Sequence, residues 1–126
     1  FTLMEMLIVV AIIAVLVAVA IPTFSSQLHK ARVATDWANV RSYYAQLQYD
    51  FMETGKINNT YLNEWDGKGE NGLTFFQLSE QKITLKASSI WVGPYKPDGS
   101  AGYNIYYVCN EYHPDCVLNL PISPTS

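Results

Sequence analysis

Met6-Leu7-Ile8-Val9-Val10-Ala11-Ile12-Ile13-Ala14-Val15-Leu16-Val17-Ala18-Val19-Ala20-Ile21 is an unbroken apolar run, and the uncharged stretch around it extends from Met6 to Leu28. Coiled as a helix at about 1.5 Å per residue, that stretch reaches roughly 34 Å, enough to cross a bilayer core of about 30 Å. A secretory signal peptide would begin with Met, carry a basic n-region and end at a small-residue cleavage site. The chain begins at Phe1 and has none of these. The expectation is that an upstream leader has been removed, and that residues 1–28 stay in the mature protein as a transmembrane or assembly helix.

One residue departs from the apolar rule. Glu5 sits four residues after the N-terminal amine at the head of this helix. A carboxylate at mid-membrane depth costs roughly 2.5–3.5 kcal/mol on insertion scales, so such an acid needs a partner. The nearest positive group is the Phe1 ammonium, of the same chain or of a neighbouring copy. A neighbour's amine is the better geometric candidate, because a rise of about 6 Å separates residues 1 and 5 within one helix. Glu5 then pins the register between subunits. The alternative is a carboxylate that favours the helix dipole and snorkels to the headgroups.

Pro22 removes a backbone donor and clashes with the carbonyl four residues before it, which predicts a kink or local opening near Ala18. Beyond it Val33, Trp37, Val40, Tyr44, Leu47 and Phe51 recur at spacings of four and three, an apolar stripe that predicts an amphipathic helix over 29–54 packed on a globular head. Ala31, Ala34, Thr35, Ala38, Ser42 and Ala45 form a small-residue face that permits close approach of another helix. Gly55 ends the helix.

Residues 55–81 read as a surface loop, since Lys56 to Gly72 is rich in Asn and Gly without a stable period. Within it, Asn58-Asn59-Thr60 has the form of a glycosylation sequon, a triplet that arises often by chance and is assigned no role. Thr74-Phe75-Phe76-Gln77 fits either a capping box for a short helix or an irregular connection. Strand chemistry follows over 82–120. Ile83, Leu85 and Ala87 alternate with polar residues, Ser88-Ser89 marks a bulge or break, and Ile90-Trp91-Val92 continues. Gly93-Pro94 and Pro97-Asp98-Gly99 are turn signals, Tyr103, Ile105 and Tyr107 alternate again, and a last strand runs from Cys116 to Leu120. The fold class is therefore α+β, with a long N-terminal helix and an antiparallel sheet of three to four strands laid on the Val33 to Phe51 face.

Cys109 and Cys116 bound a polar loop, 109–116, that contains His113-Pro114. A disulfide there would contribute roughly 2–3 kcal/mol in the chain-entropy model. The rival is a metal site built from Cys109, His113, Asp115 and Cys116. Its spacing matches no strong zinc signature, and a translocated domain meets oxidising conditions, which favours the disulfide.

The 126 residues, 49% of them hydrophobic, suit one compact domain plus one extra apolar element. A net charge of −3, from 8 basic and 11 acidic residues, provides no global basic field for nucleic acid. Lys30, Arg32 and Arg41 form a small basic patch that anionic headgroups, or acids of a neighbouring subunit, explain better than DNA does. His29 fits a membrane-interface position. No phosphate-cradling Gly loop, metal-binding His-Glu helix or Ser-His-Asp set is anchored by spacing, so neither an enzyme nor a cofactor is expected. Packing and sheet propensity explain the tyrosines, Tyr43, Tyr44, Tyr49, Tyr103, Tyr106, Tyr107 and Tyr112, more cheaply than electron conduction or base stacking.

The segment Phe1-Thr2-Leu3-Met4-Glu5 followed by the apolar run to Ala20-Ile21-Pro22 resembles the class III signal region of type IV pilins. The match is dense over about the first 25 positions and thins through the following helix. The resemblance implies that a prepilin peptidase cuts before Phe1 and N-methylates it, that Glu5 registers subunits, and that Phe1, Glu5 and Pro22 serve subunit assembly. It also implies a pilin fold, storage in the cytoplasmic membrane as a single-pass protein with its N-terminus inward, and polymerisation by pilus assembly machinery into an extracellular homo-oligomeric filament. Adhesion, twitching motility and DNA uptake are the tasks such filaments serve, with DNA or surface receptors as partners. Ala14 departs from the family pattern, standing where many members have a helix-loosening Gly. The alternatives are a minor pilin, a secretion or competence pseudopilin, and a single-pass anchor for a small binding domain. Secretion pseudopilins often carry a calcium site in place of a C-terminal disulfide, so the Cys pair favours a pilin.

Overall fold

In the computed structural model, which describes residues 1–109 and 116–121, one helix, α1, runs from Leu3 to Thr54. Gly55 ends it as expected. Its N–H donates to the Phe51 carbonyl at 2.7 Å, and its φ of +74° is a left-handed conformation that glycine adopts without a Cβ clash. The local opening expected near Ala18 is not found. The helix continues through Ala18 and Pro22, and the Thr23 hydroxyl adds a bond of 3.3 Å to the Val19 carbonyl.

The chain divides into two units, Phe1–Ala31 and Arg32–Ser126. In the first, every residue from 1 to 28 is exposed. Among its described residues the second holds the remainder of α1 and five strands: β1 (Phe75–Leu78), β2 (Gln81–Thr84), β3 (Ser88–Pro94), β4 (Tyr103–Cys109) and β5 (Leu118–Leu120). All pairings are antiparallel, with β1 and β2 forming a separate hairpin and β3-β4-β5 a three-stranded sheet. The α+β layout is present, but the single sheet of three to four strands is corrected to two sheets.

Three local readings change with it. The expected break at Ser88-Ser89 falls instead between β2 and β3, because the N–H groups of Lys86 and Ala87 point at the Asp36 carboxylate. Gly93-Pro94 is the end of β3, not a turn. Thr74-Phe75-Phe76-Gln77 is neither a helix cap nor irregular. Phe75 to Gln77 belong to β1, and Phe76 stacks on Tyr43 with ring centroids 4.3 Å apart. The hairpin was hard to read because its turn residues, Ser79 and Glu80, both take positive φ (50° and 70°) without the Gly or Asn that usually marks such a turn. Gln46 of α1 supplies the missing support, accepting from the Ser79 N–H at 2.9 Å and donating to the Gln77 carbonyl at 3.1 Å.

The stretch read as loop, 55–81, is therefore more ordered than expected. Besides β1 it holds a short 3₁₀ helix at Asn59–Tyr61. Asn63 and Leu73 each make paired backbone bonds to β3, at Val92 and Ile90, so this stretch continues the sheet past its β3 edge.

Strand alternation turns Ile90, Val92, Tyr103, Ile105, Tyr107, Leu118 and Leu120 inward, against Val33, Val40, Tyr43 and Leu47 of α1. The stripe is thus slightly rotated from the expected one. The buried helix positions are Val33, Asp36, Val40, Tyr43 and Leu47, while Trp37, Tyr44 and Phe51 flank them half-buried.

Candidate functional site

The head of α1 is built by residues close together in the chain. The Thr2 N–H donates to Glu5 Oε2 at 2.9 Å, and the Glu5 N–H donates to the Thr2 hydroxyl at 3.3 Å. This reciprocal arrangement is a capping box, with Thr2 as the N-cap and Glu5 three residues on, and it satisfies amide groups that the first helical turn leaves open. Sequence reading singled out Glu5 but missed Thr2, although the T-x-x-E spacing was available to find it. The Phe1 ammonium lies 4.0 Å from the same Oε2, with the two side chains 79% and 60% exposed. So exposed and long a pair contributes little to stability. Both contacts use Oε2. Phe1, Glu5 and Pro22 all lie in the exposed apolar unit, and within one chain Phe1 and Glu5 meet.

A second constellation, in the head, was not anticipated. Asp36 is fully buried, and its carboxylate accepts from the Lys86 and Ala87 N–H groups, the Ser88 hydroxyl and the Tyr107 hydroxyl, at 2.9–3.1 Å. A charge buried with this many donors is tolerated because its lone pairs are satisfied. The arrangement ties α1 to the junction of β2 and β3 and to the middle of β4. Burial, reinforced by the Asp36 charge, pushes the Tyr107 hydroxyl well above the ordinary tyrosine range. Tyr43 is pushed up to about 12 by burial. The position of an acid within the stripe, at 36 between 33 and 40, was the only sign of it in the sequence.

Cys109 and Cys116 form a disulfide, with Cα atoms 5.9 Å apart. Both are buried, and the Trp37 indole N–H donates to the Cys116 carbonyl at 3.3 Å. The rival metal site loses its two thiolates to this bond. Its other members, His113 and Asp115, lie outside the described residues, as does Tyr112. Among the described residues no group of three His, Cys, Asp or Glu side chains could hold a metal ion.

The expected basic patch is partly engaged, since the Arg41 guanidinium lies over the Trp37 ring at 5.7 Å. Ala31, Ala34, Thr35, Ala38, Ser42 and Ala45 are exposed along α1. Asn58 is exposed and caps the 3₁₀ helix, its side chain accepting from the Thr60 N–H at 2.9 Å.

Taken by itself, the first unit is a capped helix whose run from Met6 to Ile21 is apolar on every side, and α1 is long and apolar enough there to cross a membrane. Water is a poor solvent for such a surface, and lipid or other apolar helices are good ones. Comparisons with protein-family models, with curated proteins and with solved structures find no match.

Proposed function

We propose that this chain is the structural subunit of a type IV pilus, held in the cytoplasmic membrane with its N-terminus inward and polymerised through its apolar helix into an extracellular filament. The observation that carries the reading is the contrast within α1. Residues 1–28 are exposed, with an unbroken apolar run from Met6 to Ile21, whereas the head closes its own core and carries a disulfide suited to oxidising surroundings. Lipid covers the helix before assembly, and the helices of neighbouring subunits cover it afterwards. Prepilin peptidase would free and methylate Phe1, and the assembly machinery would drive extension for adhesion, motility or DNA uptake.

Glu5 fits the assembly role because its intrachain contacts use Oε2. Oε1 is then available to the Phe1 ammonium of a neighbouring copy, in a seam where low dielectric strengthens the pair. The capping box favours a second reading, in which Glu5 only starts the helix of a single-pass anchor. Glutamine at this position keeps a capping side chain but carries no charge, so it separates the two.

The test is electron microscopy of sheared surface material from cells expressing the native chain, Glu5→Ala or Glu5→Gln, with blotting for membrane-held protein. Long native filaments that are lost in both variants, while the protein remains in the membrane, support a pilin registered by the Glu5 charge. Filaments retained by Glu5→Gln reduce Glu5 to a cap. Absence of filaments from the native chain points to a pseudopilin or an anchor.

A further inference from the structure

The outer face of the β3-β4-β5 sheet carries an aromatic shelf that the assembly reading does not use. Trp65 reaches it from the stretch between the Asn63 and Leu73 bridges. Its ring lies 4.6 Å from Trp91 and 6.2 Å from Tyr106, inclined at 64° and 87°. Trp91 is the fixed base of the shelf, 5% exposed and donating its indole N–H to Asn71 Oδ1 at 2.7 Å. Trp65 is 51% exposed yet closely backed, since a Cβ added at Gly69 would meet its ring at 2.9 Å. A large ring held in one place with half its surface in water offers a stacking face at little further entropic cost.

Beside the shelf runs an open groove of about 680 Å³, lined by Glu64, Trp65, Trp91, Asn104, Tyr106 and Asn119 among others. Asn104 Nδ2 donates to Asn119 Oδ1 at 2.8 Å and to the Leu120 carbonyl at 2.7 Å. These bonds fix both amides and leave Asn104 Oδ1 and Asn119 Nδ2, one acceptor and one donor, for a ligand. The exposed Glu64 carboxylate adds further acceptors. Among the described residues no Lys, Arg or His lines the groove, so none of them would neutralise a phosphate or an acidic sugar. A quaternary ammonium would need several open ring faces around it, and Trp91 is covered. A proline-rich segment would use the rings but leave the amides and carboxylate unmatched.

We propose that this groove binds a neutral carbohydrate, with a sugar ring stacked on Trp65 and bordered by Tyr106, and its hydroxyls bonded to Asn104 Oδ1, Asn119 Nδ2 and the Glu64 carboxylate. The site lies wholly within the head and does not depend on filament assembly.

The test uses the full chain in phosphatidylglycerol nanodiscs, which present no sugar headgroup. It is titrated with cellotriose, maltotriose and triacetylchitotriose, and read by tryptophan fluorescence and by NMR of the indole and Asn amide groups. The expected result is saturable binding of at least one trisaccharide, with shifts at Trp65 and Asn119. Affinity should fall about tenfold or more in Trp65→Ala and by about three- to tenfold in Asn119→Ala and Glu64→Ala, and hold in Tyr49→Ala, an exposed ring on α1. If Trp65→Ala loses its native near-ultraviolet circular dichroism, the two polar variants carry the test. The proposal is overturned if no trisaccharide binds saturably, if binding survives all three groove variants, or if a polyproline peptide shifts Trp65 while the sugars do not.

Discussion

The two halves of α1 are both rich in apolar residues and have opposite surroundings. From Met6 to Leu28 no position is charged and every side chain is exposed. From Val33 to Leu47 the apolar positions are spaced by three and four, and one face is buried against strands. The difference lies in period and in charge, since residues 6–21 are apolar without interruption while residues 29–54 interleave apolar positions with polar and charged ones. A helix apolar on every side cannot satisfy itself against one sheet and needs a solvent that surrounds it, whereas a helix with one apolar face needs one partner. One continuous element therefore serves two environments, and each environment can be perturbed without the other.

The largest effect should come from the buried acid. Asp36→Ala removes the acceptor of two backbone N–H groups and two hydroxyls and leaves three of these donors, the Ala87 N–H and the Ser88 and Tyr107 hydroxyls, buried, so the head should lose about 3–5 kcal/mol, measured by urea unfolding followed by tryptophan fluorescence. A loss under about 1 kcal/mol would mean that water replaces the carboxylate and that the tie is not structural. Next, Phe76→Ala should cost about 3–4 kcal/mol, because the ring stacked on Tyr43 anchors the β1–β2 hairpin. Hydrogen exchange should then show the hairpin opening ahead of the three-stranded sheet.

Ile13→Asp sharpens the comparison directly. Membrane insertion should weaken by roughly 2.5–3.5 kcal/mol, read by partition between membrane and soluble fractions, while head unfolding stays within about 0.5 kcal/mol of native. A shift in head stability of similar size would break the separation of the two environments. Reduction of Cys109–Cys116 should act only on the head, by about 2.5 kcal/mol on the chain-entropy account, visible as a lower urea midpoint in dithiothreitol.

The mildest test is alkaline pH. An unfolded tyrosine loses its proton near its ordinary value of 10.0, whereas Tyr43 holds its proton to about 12 and Tyr107 is raised as well. Between those limits the unfolded chain binds fewer protons than the folded one, so each rise in pH favours unfolding. Head stability should hold below pH 10 and decline from there towards pH 12, with tyrosinate absorbance showing a late-titrating class that vanishes in urea. If all tyrosines titrate together in the folded chain, the burial of these two hydroxyls is not maintained.

How far the fold could be read in advance varied along the chain with the locality of the forces. The apolar helix, its end at Gly55 and the inward alternation of Tyr103, Ile105 and Tyr107 rest on period and on single-residue conformational preference, and they appear as expected. The cysteine pair, read as a disulfide in preference to a metal site, is a disulfide. The hairpin escaped because Ser79-Glu80 lacks the usual turn residues, its support coming from Gln46, 33 residues before Ser79. At the candidate assembly site Glu5 was legible as an isolated charge, while the role of Thr2 lay in a local spacing that went unread.

Sequence by itself determined that this chain carries a membrane-length apolar helix, an amphipathic continuation and an alternating strand region, because each follows from the order of neighbouring residues. Only the tertiary structure decided that Asp36 lies in the core, that the strands split into two sheets, and that Trp65 returns to the outer face beside Trp91 and Tyr106. Those outcomes depend on which donors and which surfaces meet across tens of residues. A carboxylate takes its place where buried N–H and O–H groups converge on it, and no local pattern records where that will be.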